Sequence, residues 1–184
     1  MKDIMLKIKD SEGLEFVTEG RLYTKGTTTL IQYDETEMSG FEGCTTSLTI
    51  TPTRVRMKRG GGSETGGTEM VFEKGRRVRG LYATPLGNIG MEIVTNDISG
   101  TFPSLSQPGK LLIDYSISLK GLFDGHKRLE IEILDKGTLT EYAPEEAAPE
   151  DTFSIGNMMK ELARLAAESG LDQNGQPDVF PKVQ

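Results

Sequence analysis

Lys110-Leu111-Leu112-Ile113-Asp114-Tyr115-Ser116-Ile117-Ser118-Leu119-Lys120 places Leu111, Ile113, Tyr115, Ile117 and Leu119 at every second position. A period of two puts all five on one face of an extended strand; a helix would scatter them. Gly121-Leu122-Phe123-Asp124-Gly125 then reads as a turn, and Arg128–Leu134 repeats the alternation with Leu129, Ile131 and Ile133. Two one-sided strands joined by a tight turn are an antiparallel hairpin with one face toward a core.

The same pattern runs back to the N-terminus. Ile4, Leu6 and Ile8 alternate with Met5, Lys7 and Lys9 before the turn Asp10-Ser11-Glu12-Gly13. Further strands are expected over 14–24 (bent or bulged near Gly20), 27–35, 44–51, 53–59, 68–73, 78–84 and 88–98. Gly60–Gly67 is read as a mobile hairpin tip. It lacks the Gly-Lys-Ser/Thr ending and the following helix of a phosphate loop. If Arg59 pairs with Thr68, then Lys58 faces Glu69 and Arg54 faces Glu73, while Val55, Met57, Met70 and Phe72 share the opposite face. Opposite charges across a ladder contribute about 0.2–1 kcal/mol each, so both faces support one register.

Parallel pairing needs long crossovers, and the links are too short for them. The expected fold is therefore all-β. It is an antiparallel up-and-down barrel of about 8–10 strands over residues 1–142, favoured over a sandwich because closure removes exposed strand edges.

From Ala143 the composition changes. Ala143–Asp151 is a stiff, acidic, Pro-containing linker. A helix is expected over about 152–169, because Ile155, Met158, Met159, Leu162 and Leu165 fall on one apolar stripe. This stripe is read as an interaction helix. It docks on its own barrel, forms a homodimer or meets another protein. A flexible tail is expected beyond it, completing a 143–184 region separate from the barrel.

The formal net charge of −7 is uneven: 18 basic residues face 19 acidic ones up to residue 140, and 3 face 9 thereafter. A nearly neutral barrel with an acidic tail lacks the clustered positive surface that nucleic acid requires. No stretch approaches the roughly 20 apolar residues of a membrane helix. No apolar signal segment is read at the N-terminus. The lone cysteine, Cys44, rules out an internal disulfide framework and suits a reducing, cytoplasmic setting. Its expected state is a passive, half-buried thiol. The one histidine, His126, lacks the partners of a triad or a metal site. No metal, cofactor or catalytic constellation is therefore expected.

Several segments together resemble the YwiB-like family of small bacterial proteins. They are Glu19-Gly20-Arg21-Leu22-Tyr23 with Lys25, Ile31-Gln32-Tyr33-Asp34-Glu35, Arg59-Gly60, and Met70 and Phe72 before Gly75. Tyr82-Ala83-Thr84-Pro85-Leu86-Gly87, Gly109–Tyr115 and the final strand complete the set, which spans about residues 2–140. The resemblance implies a cytosolic, lipocalin-like (calycin-like) barrel with a small-ligand role. It implies no reaction and no catalytic residues.

The polar members of these segments, with one further arginine, form the candidate site: Glu19, Arg21, Tyr33, Glu35, Arg56, Tyr82 and Thr84. If Tyr33 and Glu35 share the face of Ile31, alternation turns a carboxylate toward the core. A buried carboxylate is costly without a cation or donors. Arg21 or Arg56 is the expected partner. Two readings follow, a buried polar cluster that fixes register or a group that anchors a ligand inside the barrel. The expected function is non-enzymatic binding of a small, anionic or amphipathic molecule. The alternative is an interaction or structural protein acting through its C-terminal helix.

Overall fold

The computed structural model describes residues 1–61 and 67–137, together with Met158, Glu161, Leu162, Arg164, Leu165 and Ala167. Ten strands follow one another: β1 (Lys2–Asp10), β2 (Glu15–Lys25), β3 (Thr28–Asp34), β4 (Thr45–Thr51), β5 (Arg54–Gly60), β6 (Thr68–Glu73), β7 (Arg77–Thr84), β8 (Gly87–Thr101), β9 (Gly109–Leu119) and β10 (Phe123–Asp135). They form one antiparallel sheet in the order β6-β5-β4-β3-β2-β1-β10-β9-β8-β7. Chain neighbours are thus sheet neighbours, save β6 and β7. The first strand pairs with the last, Ile8 opposite Ile131, and the sheet ends on β6 and β7.

Those two ends meet without forming a ladder, so the barrel is nearly closed. Single hydrogen bonds stitch the seam. The Ala83 N–H donates to Thr68 Oγ1 at 3.1 Å, and the Glu73 N–H to Thr95 Oγ1 at 3.2 Å. Thr95 also bonds through its own backbone to Gly75 N at 2.8 Å and Arg76 O at 3.1 Å. Thr95 serves the seam through its backbone while it pairs with Tyr115 of β9 on its other side, just before a bulge between Thr95 and Asp97.

Alternation holds on both sides of the wall. In β9 the five apolar positions are buried and the intervening residues are more exposed. The β5–β6 register places Arg54 opposite Glu73, Met57 opposite Met70, Lys58 opposite Glu69 and Arg59 opposite Thr68, as the charge pattern requires. β10 begins at Phe123, five residues before the expected Arg128, because the turn tightens to a single bond from the Leu122 N–H to Leu119 O at 2.9 Å.

Gly20 does not interrupt β2, which pairs with β1 without a bulge. The glycine is needed for closeness, since a Cβ there would lie 2.9 Å from both Gln32 O and Leu6 Cδ1. At the barrel end that holds the β8–β9 connection, Pro103 is buried, and its carbonyl accepts a bond from Thr29 Oγ1 at 3.0 Å.

Of the expected C-terminal helix, the six described residues have helical backbone. Met158 and Leu162 pack against the barrel core, while Leu165 is 45% exposed. Ile155 and Met159 lie outside the described residues, as do the middle of the expected hairpin tip (62–66), the acidic linker and the end of the chain.

Candidate functional site

β3 and the ten-residue connection after it build the site. Ile31, Tyr33 and Glu35 follow one another along the interior face. The Glu35 N–H bonds Cys44 O at 2.9 Å, so the backbone between them leaves the sheet and returns as a loop. A short 3-10 turn, Glu37–Ser39, and Gly40 in the left-handed region (φ 76°) bring Phe41 back over the barrel end. Only glycine adopts that conformation without strain.

Glu35 has its carboxyl almost wholly out of water, 1% exposed. Its Oε1 accepts Thr46 Oγ1 at 2.5 Å and Arg59 Nε at 3.0 Å. The Arg59 Nε also reaches Thr46 Oγ1 at 3.3 Å, and its guanidinium lies 3.7 Å over the Phe41 ring. One side chain thus makes an ion pair and a cation–π contact in a low-dielectric setting, where both are stronger than in water. Burial works against the Arg59 charge. The nearby Glu35 carboxylate, with Tyr82 and Tyr33, outweighs it and holds the pKa above the ordinary arginine value.

Three tyrosines complete the wall. Burial is the main cause that pushes all three hydroxyls up, Tyr82 to about 12 and Tyr33 and Tyr115 further. All three are therefore neutral hydroxyl groups. The Tyr33 hydroxyl lies against Thr46 and Glu35, and Tyr82 lies against Arg59. Tyr115 projects from β9 and meets Phe72 edge-on at 4.9 Å between centroids.

These groups border a half-open cavity of about 100 Å³ at one end of the barrel. Its polar lining is Asp10, Tyr33, Glu35, Ser39, Arg59, Tyr82 and Tyr115, and its apolar lining includes Phe16, Met57, Met70 and Leu129. Asp10 sits at the rim, where its Oδ1 accepts the N–H groups of Glu12 at 2.8 Å and Leu14 at 2.9 Å. Burial pushes the Asp10 pKa up, with the Leu14 N–H and Lys127 pulling the other way. Lys127 is 5% exposed, pairs with Glu12 and lies 4.6 Å over Phe123. Burial draws its pKa down, against the pull of Asp10.

A carboxyl whose folded pKa is raised stabilises the fold below its unfolded pKa and loses that contribution as pH rises. Asp10→Asn keeps the turn-closing oxygen and removes the charge. It should raise Tm near neutral pH, and the gain should vanish below about pH 4, where the unfolded aspartate is protonated too. Thermal unfolding at the two pH values checks this; a lower Tm at neutral pH contradicts it.

Of the sequence-derived candidates, Tyr33, Glu35 and Tyr82 meet in this cluster. Thr84 is buried but turns to its own hairpin, bonding Gly87 O at 2.7 Å. Glu19, Arg21 and Arg56 do not lie inside the barrel. All three are exposed, because the interior phase of β2 runs through Phe16 and Leu22 and that of β5 through Val55 and Met57. Glu19 pairs outside with Lys136 at 3.0 Å, and Arg56 with Glu69 at 3.6 Å. Glu19 and Arg21 border an outer groove of about 340 Å³ instead.

The cation paired with Glu35 is Arg59, not Arg21 or Arg56. Its signal was present in the alternation, since Arg59 continues the parity of Val55 and Met57. Cys44 is fully buried, at 2%, rather than half-buried. His126 is on the surface and pairs with Asp114 at 2.8 Å. No cluster of metal-ligating side chains occurs among the described residues. None of the described helical residues belongs to a helix long and apolar enough to cross a membrane.

The fold and this cluster define a class: a nearly closed, ten-stranded antiparallel barrel with a small, mostly apolar cavity edged by polar groups at one end. The chain belongs to the family described as a domain of unknown function (DUF1934), whose model matches residues 2–131. The crystal structure of ywiB protein from Bacillus subtilis shares the fold, with a TM-score of 0.60 over 73% of this chain and 92% of that one, at 18% identity. No curated protein matches the chain.

Proposed function

We propose that this barrel is a non-enzymatic binding protein for a small molecule held in the interior cavity. One observation carries the reading. The cavity combines an apolar floor with several buried hydrogen-bonding groups at one end, the makeup of a ligand site rather than a packing defect. A polar cluster kept only for register would be expected to close on itself and leave no room.

Size limits the ligand. Sites for drug-sized molecules occupy roughly 300–1,000 Å³. At about 100 Å³ the half-open cavity takes a small molecule whole, or only the end of a longer one. A dry cavity of roughly 150 Å³ holds benzene, so this one suits about four or five non-hydrogen atoms.

A thermal-shift screen against small metabolites tests the reading. A ligand at 100 times its Kd stabilises by about 2.7 kcal/mol through mass action alone. Compounds of about that size should raise Tm saturably. No shift with any of them, or shifts only with molecules far too large for the cavity, would count against interior binding.

A further inference from the structure

We infer that the cavity takes a small uncharged molecule with an oxygen acceptor, a carboxamide or a ketone, received by the hydroxyls of Tyr115 and Tyr82. This rests on the binding reading above and adds the chemistry of the ligand.

The charges in and around the cavity are already matched. Arg59 is paired with Glu35, and Asp10 faces the field of Lys127. An anion would enter beside two carboxylates with its charge uncompensated, and a cation would enter beside Arg59. A buried charge without its own partner is far costlier than a buried polar group.

The unspent group is a hydroxyl. Tyr115 is 7% exposed and lines the cavity, and its oxygen has no hydrogen-bond partner among the described residues. A hydroxyl that no protein group engages is left to bond whatever enters the pocket beside it. Tyr82 stands on the same wall, and its oxygen faces the Arg59 guanidinium, which can only donate. Its proton is thus left to point elsewhere. Two neutral donors beside an apolar floor of Met57, Met70 and Leu129 match a carbonyl on a short apolar body.

Tyr115→Phe separates this from a structural role. If the hydroxyl is unsatisfied without ligand, removing it should leave Tm unchanged or raise it. Titrating the wild type with acetamide, acetate and methylammonium, followed by the ring resonances of Tyr82 and Tyr115, then reads the ligand class. Acetamide should bind saturably. Tyr115→Phe should weaken it by about 3- to 10-fold, the worth of one neutral hydrogen bond. Saturable binding of acetate or methylammonium with acetamide silent would overturn the class while leaving the cavity as a binding site. Silence from all three would overturn both readings. A marked loss of Tm in Tyr115→Phe would show that the hydroxyl holds the fold, and would overturn its assignment to a ligand.

Discussion

Replacing Arg59 with methionine should destabilise the barrel by about 3–5 kcal/mol, the cost of removing one member of a buried ion pair. The size of the effect comes from what is left behind. The Glu35 carboxyl, 1% exposed, would keep Thr46 as a donor but lose its cation. Methionine approximates the length and apolar stem of arginine, so little of the loss would come from a void. Adding Glu35→Gln to the variant should return most of the stability, because a neutral amide does not require the cation. Urea unfolding of the wild type, both single variants and the double variant measures the coupling. Equal losses in Arg59→Met and in the double variant would show that charge burial is not the cause.

The second large effect belongs to the far end of the barrel. Gly100→Ala should cost about 2–6 kcal/mol, combining strain at a φ that only glycine tolerates with overpacking. Gly100 has φ 122°, and a Cβ there would lie 1.9 Å from the carbonyl oxygen of Lys110, on backbone that cannot step aside alone. The close approach lets β8 turn into the connection that carries Pro103 over the barrel end, where Thr29 holds it. Gly13→Ala is the natural control. Gly13 has φ 91° with nothing within 4 Å of the added carbon, so only the conformational cost of about 1–2 kcal/mol applies. Similar losses for the two variants would mean that the crowding at Gly100 relaxes away.

These two positions differ in how far the sequence announces them. The strands were legible because a half-buried strand writes its own period, and the β5–β6 register was legible because charges and apolar residues agreed on it. The inward turn of Tyr33 and Glu35 followed from Ile31 by the same rule. Arg59 obeyed the rule as well. It is hard to read because an arginine beside a glycine-rich tip looks like surface, although it stays in phase with Val55 and Met57. What alternation cannot carry is adjacency between strands distant in the chain. Tyr115 read as one more core residue of β9, yet the closing of the sheet through β1 and β10 is what brings it to the same cavity as Glu35 and Arg59. The roles of Asp10, Ser39 and Phe41 depend likewise on loop paths that no local pattern fixes. Gly20 and Gly100 were visible as glycines, but the backbones that crowd them were not.

The cavity is proposed to bind a small molecule. Methionine-methyl NMR tests it most directly, because Met57 and Met70 line the cavity whereas Met91 is buried in the core away from its lining. On titration with small neutral solutes of about four or five non-hydrogen atoms, the Met57 and Met70 methyl signals should move saturably while Met91 stays in place. Motionless Met57 and Met70 signals across the solute set, or equal drift of all three, would contradict the account.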